Sequence, residues 1–170
     1  LCEAFALEAV RLLLDKCPAA IRHADNNGDL PIHLASGFGA RSPEFCRLLI
    51  EAYPRSERTT NAGGYLPLHC ACAYGTAATV KYLISLHPAG INAPVYNGFY
   101  PIHFAISGLM NRKDDPETAS KMVEVLVTCD PCVASQEFNG KLPLVLACIK
   151  IKEMNLDVGL KIIKLFYDIY

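Results

Sequence analysis

Gly28-Asp-Leu-Pro-Ile-His-Leu-Ala35 returns three times along the chain, as Gly64-Tyr-Leu-Pro-Leu-His-Cys-Ala71, Gly98-Phe-Tyr-Pro-Ile-His-Phe-Ala105 and Gly140-Lys-Leu-Pro-Leu-Val-Leu-Ala147. The prolines Pro31, Pro67, Pro101 and Pro143 stand 36, 34 and 42 residues apart. That spacing fits a unit of about 34 residues with a short insertion in the first copy and a longer one in the third, and a period of this size marks a repeat architecture. A second element recurs in phase with the first: Val10-Arg-Leu-Leu-Leu14, Cys46-Arg-Leu-Leu-Ile50, Val80-Lys-Tyr-Leu-Ile84, Val123-Glu-Val-Leu-Val127 and Ile162-Ile-Lys-Leu-Phe166. Its apolar spacing is that of an amphipathic helix.

The punctuation between these elements is equally regular. Pro18, Pro54, Pro88 and Pro131 follow the first four outer helices, and nine or ten residues separate each from the next repeat glycine. Asn27-Gly28, Gly63-Gly64, Asn97-Gly98 and Asn139-Gly140 are dipeptides that accept positive φ, and they predict a two-residue hairpin turn before every inner helix. Ser42-Pro43-Glu44 and Asp115-Pro116-Glu117 predict outer-helix starts with a capping side chain, a proline in the first helical position and an acid in the first turn. The unit reads as hairpin, inner helix, loop, outer helix, and the fold class as an all-α repeat solenoid.

These segments resemble the ankyrin repeat, whose Gly-x-Thr-Pro-Leu-His-x-Ala signature the four octapeptides follow except at Thr and, in the fourth, at His. The resemblance covers essentially the whole chain and implies a stack of helix pairs with β-hairpin or loop connections. On this reading residues 1–170 are a single array of about four repeats plus a leading outer helix (Glu3 to Cys17), ending on an apolar outer helix (Val158 to Tyr170). Because terminal repeats need a polar outer face, further repeats or domains are expected beside it. Leu30, Leu66, Tyr100 and Leu142 replace the family's Thr, whose hydroxyl caps the inner helix. Another donor, or a gain in packing, has to offset the lost cap.

Composition narrows the function. The 170 residues carry a formal net charge of −1 and a pI near 6.6, giving neither the basic field of a nucleic-acid binder nor a polybasic membrane face. The longest stretch without Asp, Glu, Lys or Arg, Tyr82 to Asn111, is broken by Pro88, Pro94 and Pro101 and is no membrane span. Eight cysteines inside apolar helical segments, with no leader and no Asn-x-Ser/Thr site, read as reduced thiols of an intracellular, cytoplasmic or nuclear protein. No phosphate-binding glycine loop, nucleophile elbow or helical His-Glu-x-x-His occurs, so neither an enzyme nor a cofactor is expected.

His33, His69 and His103 hold one repeat position. Successive copies about 10 Å apart, as packed helices are, cannot share a metal ion, so these rings are expected to bridge backbone groups of neighbouring repeats. With Pro31, Pro67, Pro101 and Pro143 they form the structural set, and no metal site is expected. Cys129-Asp-Pro-Cys132 has the spacing of a zinc or redox pair but lacks a second pair, and Pro131 is the ordinary repeat proline.

In the ankyrin family the hairpin tips and exposed inner-helix positions form a concave binding surface. Carried over by register, those positions include Phe38, Tyr65, Tyr74, Tyr96, Phe99 and Phe138, a concentration of aromatic residues in a chain with only 9% of them. Rigid aromatic side chains are the usual anchors of interfaces, although packing against neighbouring hairpins is the competing role. Between Thr59 and Asn111 the only Asp, Glu, Lys or Arg is Lys81, and charge depletion of this kind places the binding region in the middle two repeats. The expected function is a scaffold or adaptor that binds another protein; the alternative is a spacer or regulatory array attached to an enzyme or channel.

Overall fold

The computed structural model describes residues 2–38, 42–108, 116–150 and 156–169. It is built from α1 (Cys2–Lys16), α2 (Pro31–Phe38), α3 (Glu44–Ala52), α4 (Pro67–Tyr74), α5 (Ala77–Leu86), α6 (Pro101–Gly108), α7 (Pro116–Cys129), α8 (Pro143–Lys150) and α9 (Leu156–Tyr167). The even-numbered inner helices stack in a row, α2 on α4 on α6 on α8, and each packs on the outer helix that follows it. All four begin on the repeat proline. There the missing N–H removes one of the unpartnered donors of a helix start, and the fixed φ suits the first turn. Three outer helices run into a 3-10 turn opened by proline, Pro18–Arg22, Pro88–Asn92 and Pro131–Ser135; the fourth residue of each, Ile21, Ile91 and Ala134, is buried, and so is Val133 in the last.

Outer helices bury one face. In α7, Met122, Val123, Leu126 and Val127 point inward, while Lys121, Glu124 and Thr128 meet solvent. The apolar interior forms one large cluster running from Leu66 to Phe166, and a smaller one of Ile21, Leu30, Ile32, Cys46 and Leu49 at the first repeat. Each fully buried Leu or Ile contributes about 1.5–3 kcal/mol, so the larger cluster carries most of the stability. Neighbouring inner helices approach closely: a Cβ added to Gly75 would lie 2.3 Å from the Ser36 carbonyl, and one on Gly108 would lie 2.6 Å from that of Ala73.

The turns differ from the sequence expectation. In the first three copies only the glycine has positive φ, and the bonds close a three-residue loop: Gly28 N–H to Asp25 O and Asp25 N–H to Asp29 O, with the same pair at Asn61 to Tyr65 and Val95 to Phe99. This is a type I turn followed by a glycine bulge. Only the fourth copy has the two-residue turn, with Asn139 and Gly140 both at positive φ and Phe138 and Lys141 exchanging two bonds. The reason is length, since Pro131 precedes its glycine by nine residues and the other three prolines by ten. Apart from that isolated bridge, no strand occurs among the described residues.

One further expectation changes: Pro43 stands at the N-cap of α3, not inside the helix. Asp115 and most of the charged insertion Asn111–Glu117 lie outside the described residues, although α7 does start on Pro116. Cys148 of α8 is exposed, whereas Cys72, at the equivalent position of α4, is buried.

Candidate functional site

The donor that a threonine hydroxyl would accept, the N–H of His33, His69 or His103, turns to the backbone carbonyl of Leu30, Leu66 or Tyr100, and the histidine rings serve another donor of the same helix start. Leu30, Leu66 and Tyr100 donate their N–H to Nδ1 of His33, His69 and His103, at 3.0, 2.9 and 3.0 Å, so the ring three residues on satisfies a donor at each helix start. Because Nδ1 accepts, the neutral ring carries its proton on Nε2. That N–H reaches the next repeat. His33 donates to the carbonyls of Thr59 (3.1 Å) and Tyr65 (3.0 Å), and His69 to that of Ala93 (2.9 Å). At His103 the ring turns toward the equivalent carbonyl of Gln136, but Nε2 is buried without a hydrogen bond of good geometry. Burial holds all three rings below the usual histidine pKa, to about 4 for His69 and His103. They are neutral at physiological pH.

The hairpin tips stack on one another through backbone and side chains. Ala62 N–H donates to Asn27 O, Tyr96 N–H to Gly63 O, and Asn61 Nδ2 to Asp29 Oδ1 at 2.7 Å. Asp25 and Asn61 also accept, through one side-chain oxygen each, two N–H groups of their own turns. This side-chain bonding rigidifies the first two tips.

The six aromatic positions separate into groups. Tyr65, Phe99 and Phe138 are half-buried and joined in one wall of rings: Phe99 lies 3.7 Å, centroid to centroid, from Phe138, and both flank His103 at 5.9 and 5.8 Å. Phe104, which the sequence reading missed, ties the wall together, 5.4 Å from Tyr65 and 5.5 Å from both His69 and Phe99. Its signal was its place beside His103, the slot of Leu34, Cys70 and Leu146. Tyr74 and Tyr96 are exposed, at 48% and 79%, and Tyr96 lies across Gly64 of the preceding tip. The Phe38 side chain lies outside the described residues.

Between the first two tips and helices α2, α4 and α6 the inner face opens into a groove of about 640 Å³. Its walls include Asn27 and Asp29 from the first tip, Leu34 from α2, Tyr65 from the second tip, Tyr74 from α4 and Phe104 from α6. Cys70 lines it as well, its thiol pushed up to about 12 by burial and by the Asp29 carboxylate. A thiol so held is no nucleophile at neutral pH.

Residues 63–93, which run from the second tip through α4 and α5 to the following 3-10 turn, match the family described as Ankyrin repeat. This segment is an ankyrin repeat, set in an ankyrin-type stack of helix pairs. No curated protein matches it. The matched segment is one whole ankyrin unit, and the copies on either side repeat its proline-started inner helix and glycine turn.

Elsewhere in the ankyrin stack, chemistry-bearing residues stay dispersed. Among the described residues, no three His, Cys, Asp or Glu side chains come together to hold a metal ion. Cys129 and Cys132 are exposed, and Asp130 between them is engaged in structure. Its carboxylate accepts from Asn92 Nδ2 at 2.7 Å and from Cys132 N–H at 2.9 Å, bonds that hold its pKa below the ordinary carboxylate value. No described helix is long and apolar enough to cross a membrane.

Proposed function

We propose that this array is an intracellular recognition module, without catalytic chemistry of its own, that binds a segment of another protein along the face made by its hairpin tips and inner helices. The observation that supports this most is the open groove between the first two tips. Its aromatic and aliphatic walls include two large side chains left half in solvent, Leu34 at 46% and Tyr74 at 48%. Apolar surface held on a rigid, hydrogen-bonded frame loses little entropy when covered, and that makes good anchors. The groove shifts the expected contact region toward the first and second copies. Phe99 and Phe138, which already cover one another, serve as its framework.

The test is capture from native lysate by the protein and by a Leu34→Ala/Tyr74→Ala variant, after thermal unfolding has shown the two equally stable. Proteins retained by the first and lost by the second support the reading; identical capture by both sinks it.

A further inference from the structure

We propose that the groove is selective for a peptide segment that places a lysine or arginine side chain on Asp29 and an apolar side chain between Leu34 and Tyr74. This rests on the protein-binding reading above and adds the chemistry of the partner. Among the described residues that line the groove, Asp29 is the one Asp, Glu, Lys or Arg. His33 and His69 are neutral, their Nδ1 atoms already accepting from the backbone, and the Cys70 thiol keeps its proton. The Asp29 carboxylate faces both groups across the cleft: it partly opposes the burial-driven lowering at His33 and adds to the burial-driven rise at Cys70. Among the described residues, no lysine or arginine lines the walls to neutralise it.

The carboxylate also has capacity to spare. An ionised carboxyl offers about four acceptor positions, and the bond from Asn61 Nδ2 to Oδ1 fills one. That bond orients the group by tying it to the second tip, which itself hydrogen-bonds the first through Ala62 and Asn27. A partly shielded, oriented anion beside an apolar cleft favours a cation carried on an aliphatic stem: the stem covers apolar wall while the head meets the carboxylate. An acidic segment would face repulsion with no basic group to relieve it.

The experiment selects short random peptides displayed on phage against the protein and against its Asp29→Asn variant. That variant keeps an oxygen for Asn61 and removes only the charge, and its fold is checked by thermal unfolding. Peptides from the unaltered protein are expected to carry one Lys or Arg at a constant distance from an apolar residue and to bind the variant about tenfold more weakly or worse. Changing that basic residue to Gln should weaken binding to the protein equally and leave binding to the variant unchanged. Peptides that need Tyr74 but carry no basic residue, or that bind Asp29→Asn undiminished, overturn the charge selectivity and leave the groove as a binding face. Peptides indifferent to Tyr74→Ala, or no peptide at all, overturn both.

Discussion

Two stretches of the same inner face, one at the first and second repeats and one at the third and fourth, treat their aromatic residues in opposite ways. At the third and fourth, Phe99 meets Phe138 from the next tip at 3.7 Å and both close on His103, so the rings fill the space between hairpins. At the first and second, Tyr65 leans on Phe104 and Gly63, and the space beside it stays open as a groove of about 640 Å³. The position preceding each Leu/Tyr-Pro step is equivalent in both stretches: Asp29, Tyr65, Phe99 and Lys141. Tyr65 and Phe99 are both half-buried, and what differs is the space beside them. Phe138 covers Phe99; Asp29, small and polar, leaves room beside Tyr65.

The largest expected effect follows from the histidines shared by both stretches. Burial lowers their folded pKa, so the unfolded chain binds more protons between the ordinary value of 6.5 and the folded value of about 4. Stability is therefore full above pH 6.5 and declines as pH falls toward 4, by about 3 kcal/mol for His69 alone. Urea unfolding at a series of pH values checks this, and a flat profile between pH 6.5 and 4 would contradict the burial of these rings as neutral groups.

Next in size is the difference between two histidines. His69→Ala frees the Leu66 N–H and the Ala93 carbonyl, both inside the stack, and leaves a cavity, at a cost of about 3–5 kcal/mol. His103→Ala frees Tyr100 N–H alone, because Nε2 makes no good bond, and should cost about 1 kcal/mol less. Equal losses in urea unfolding would mean that the reach of His103 toward Gln136 matters as much as the formed bond at His69. A contrast between milder substitutions tests the two faces directly. Phe138→Ala, which removes a ring stacked on Phe99, should cost about 2 kcal/mol, and Tyr74→Ala less than about 0.5 kcal/mol.

The architecture could be read from the sequence because its signals are local and repeated. Each repeat proline sits where a helix must begin, and the recurring Cys46, Val80 and Val123 register marks the buried side of the outer helices. The turns were misjudged because Asn-Gly and Gly-Gly fit both a two-residue turn and a three-residue turn with a bulge. The deciding quantity was the single residue missing before Gly140. How the helix starts manage without a threonine hydroxyl was visible only as a need: that the carbonyls of Leu30, Leu66 and Tyr100 take the bond depends on local geometry, which spacing does not encode. Exposure of aromatic positions was the least legible feature. Register places Tyr65 and Phe99 on the same face, but it does not show that Phe138 stacks on Phe99 while the space beside Tyr65 stays open as a groove.

The smallest effect concerns the glycines of the two kinds of turn, and it separates strain from contact. Gly64 has φ +81, and a Cβ there would lie 2.8 Å from the Tyr96 ring, which rests on the tip. Gly140 has φ +68, and nothing lies within 4 Å of where its Cβ would be. Alanine at either position adopts an unfavourable backbone conformation, which costs about 1 kcal/mol. At Gly140 that is the whole penalty. At Gly64 the ring must also move, and with it the bond from Tyr96 N–H to Gly63 that joins the second and third tips. Gly64→Ala should therefore be the more destabilising of the two in thermal unfolding, and Tyr96→Ala in the same chain should remove the excess. If the excess persists without the ring, the glycine is required by the turn alone, and the tips are coupled through their backbones with no help from the tyrosine.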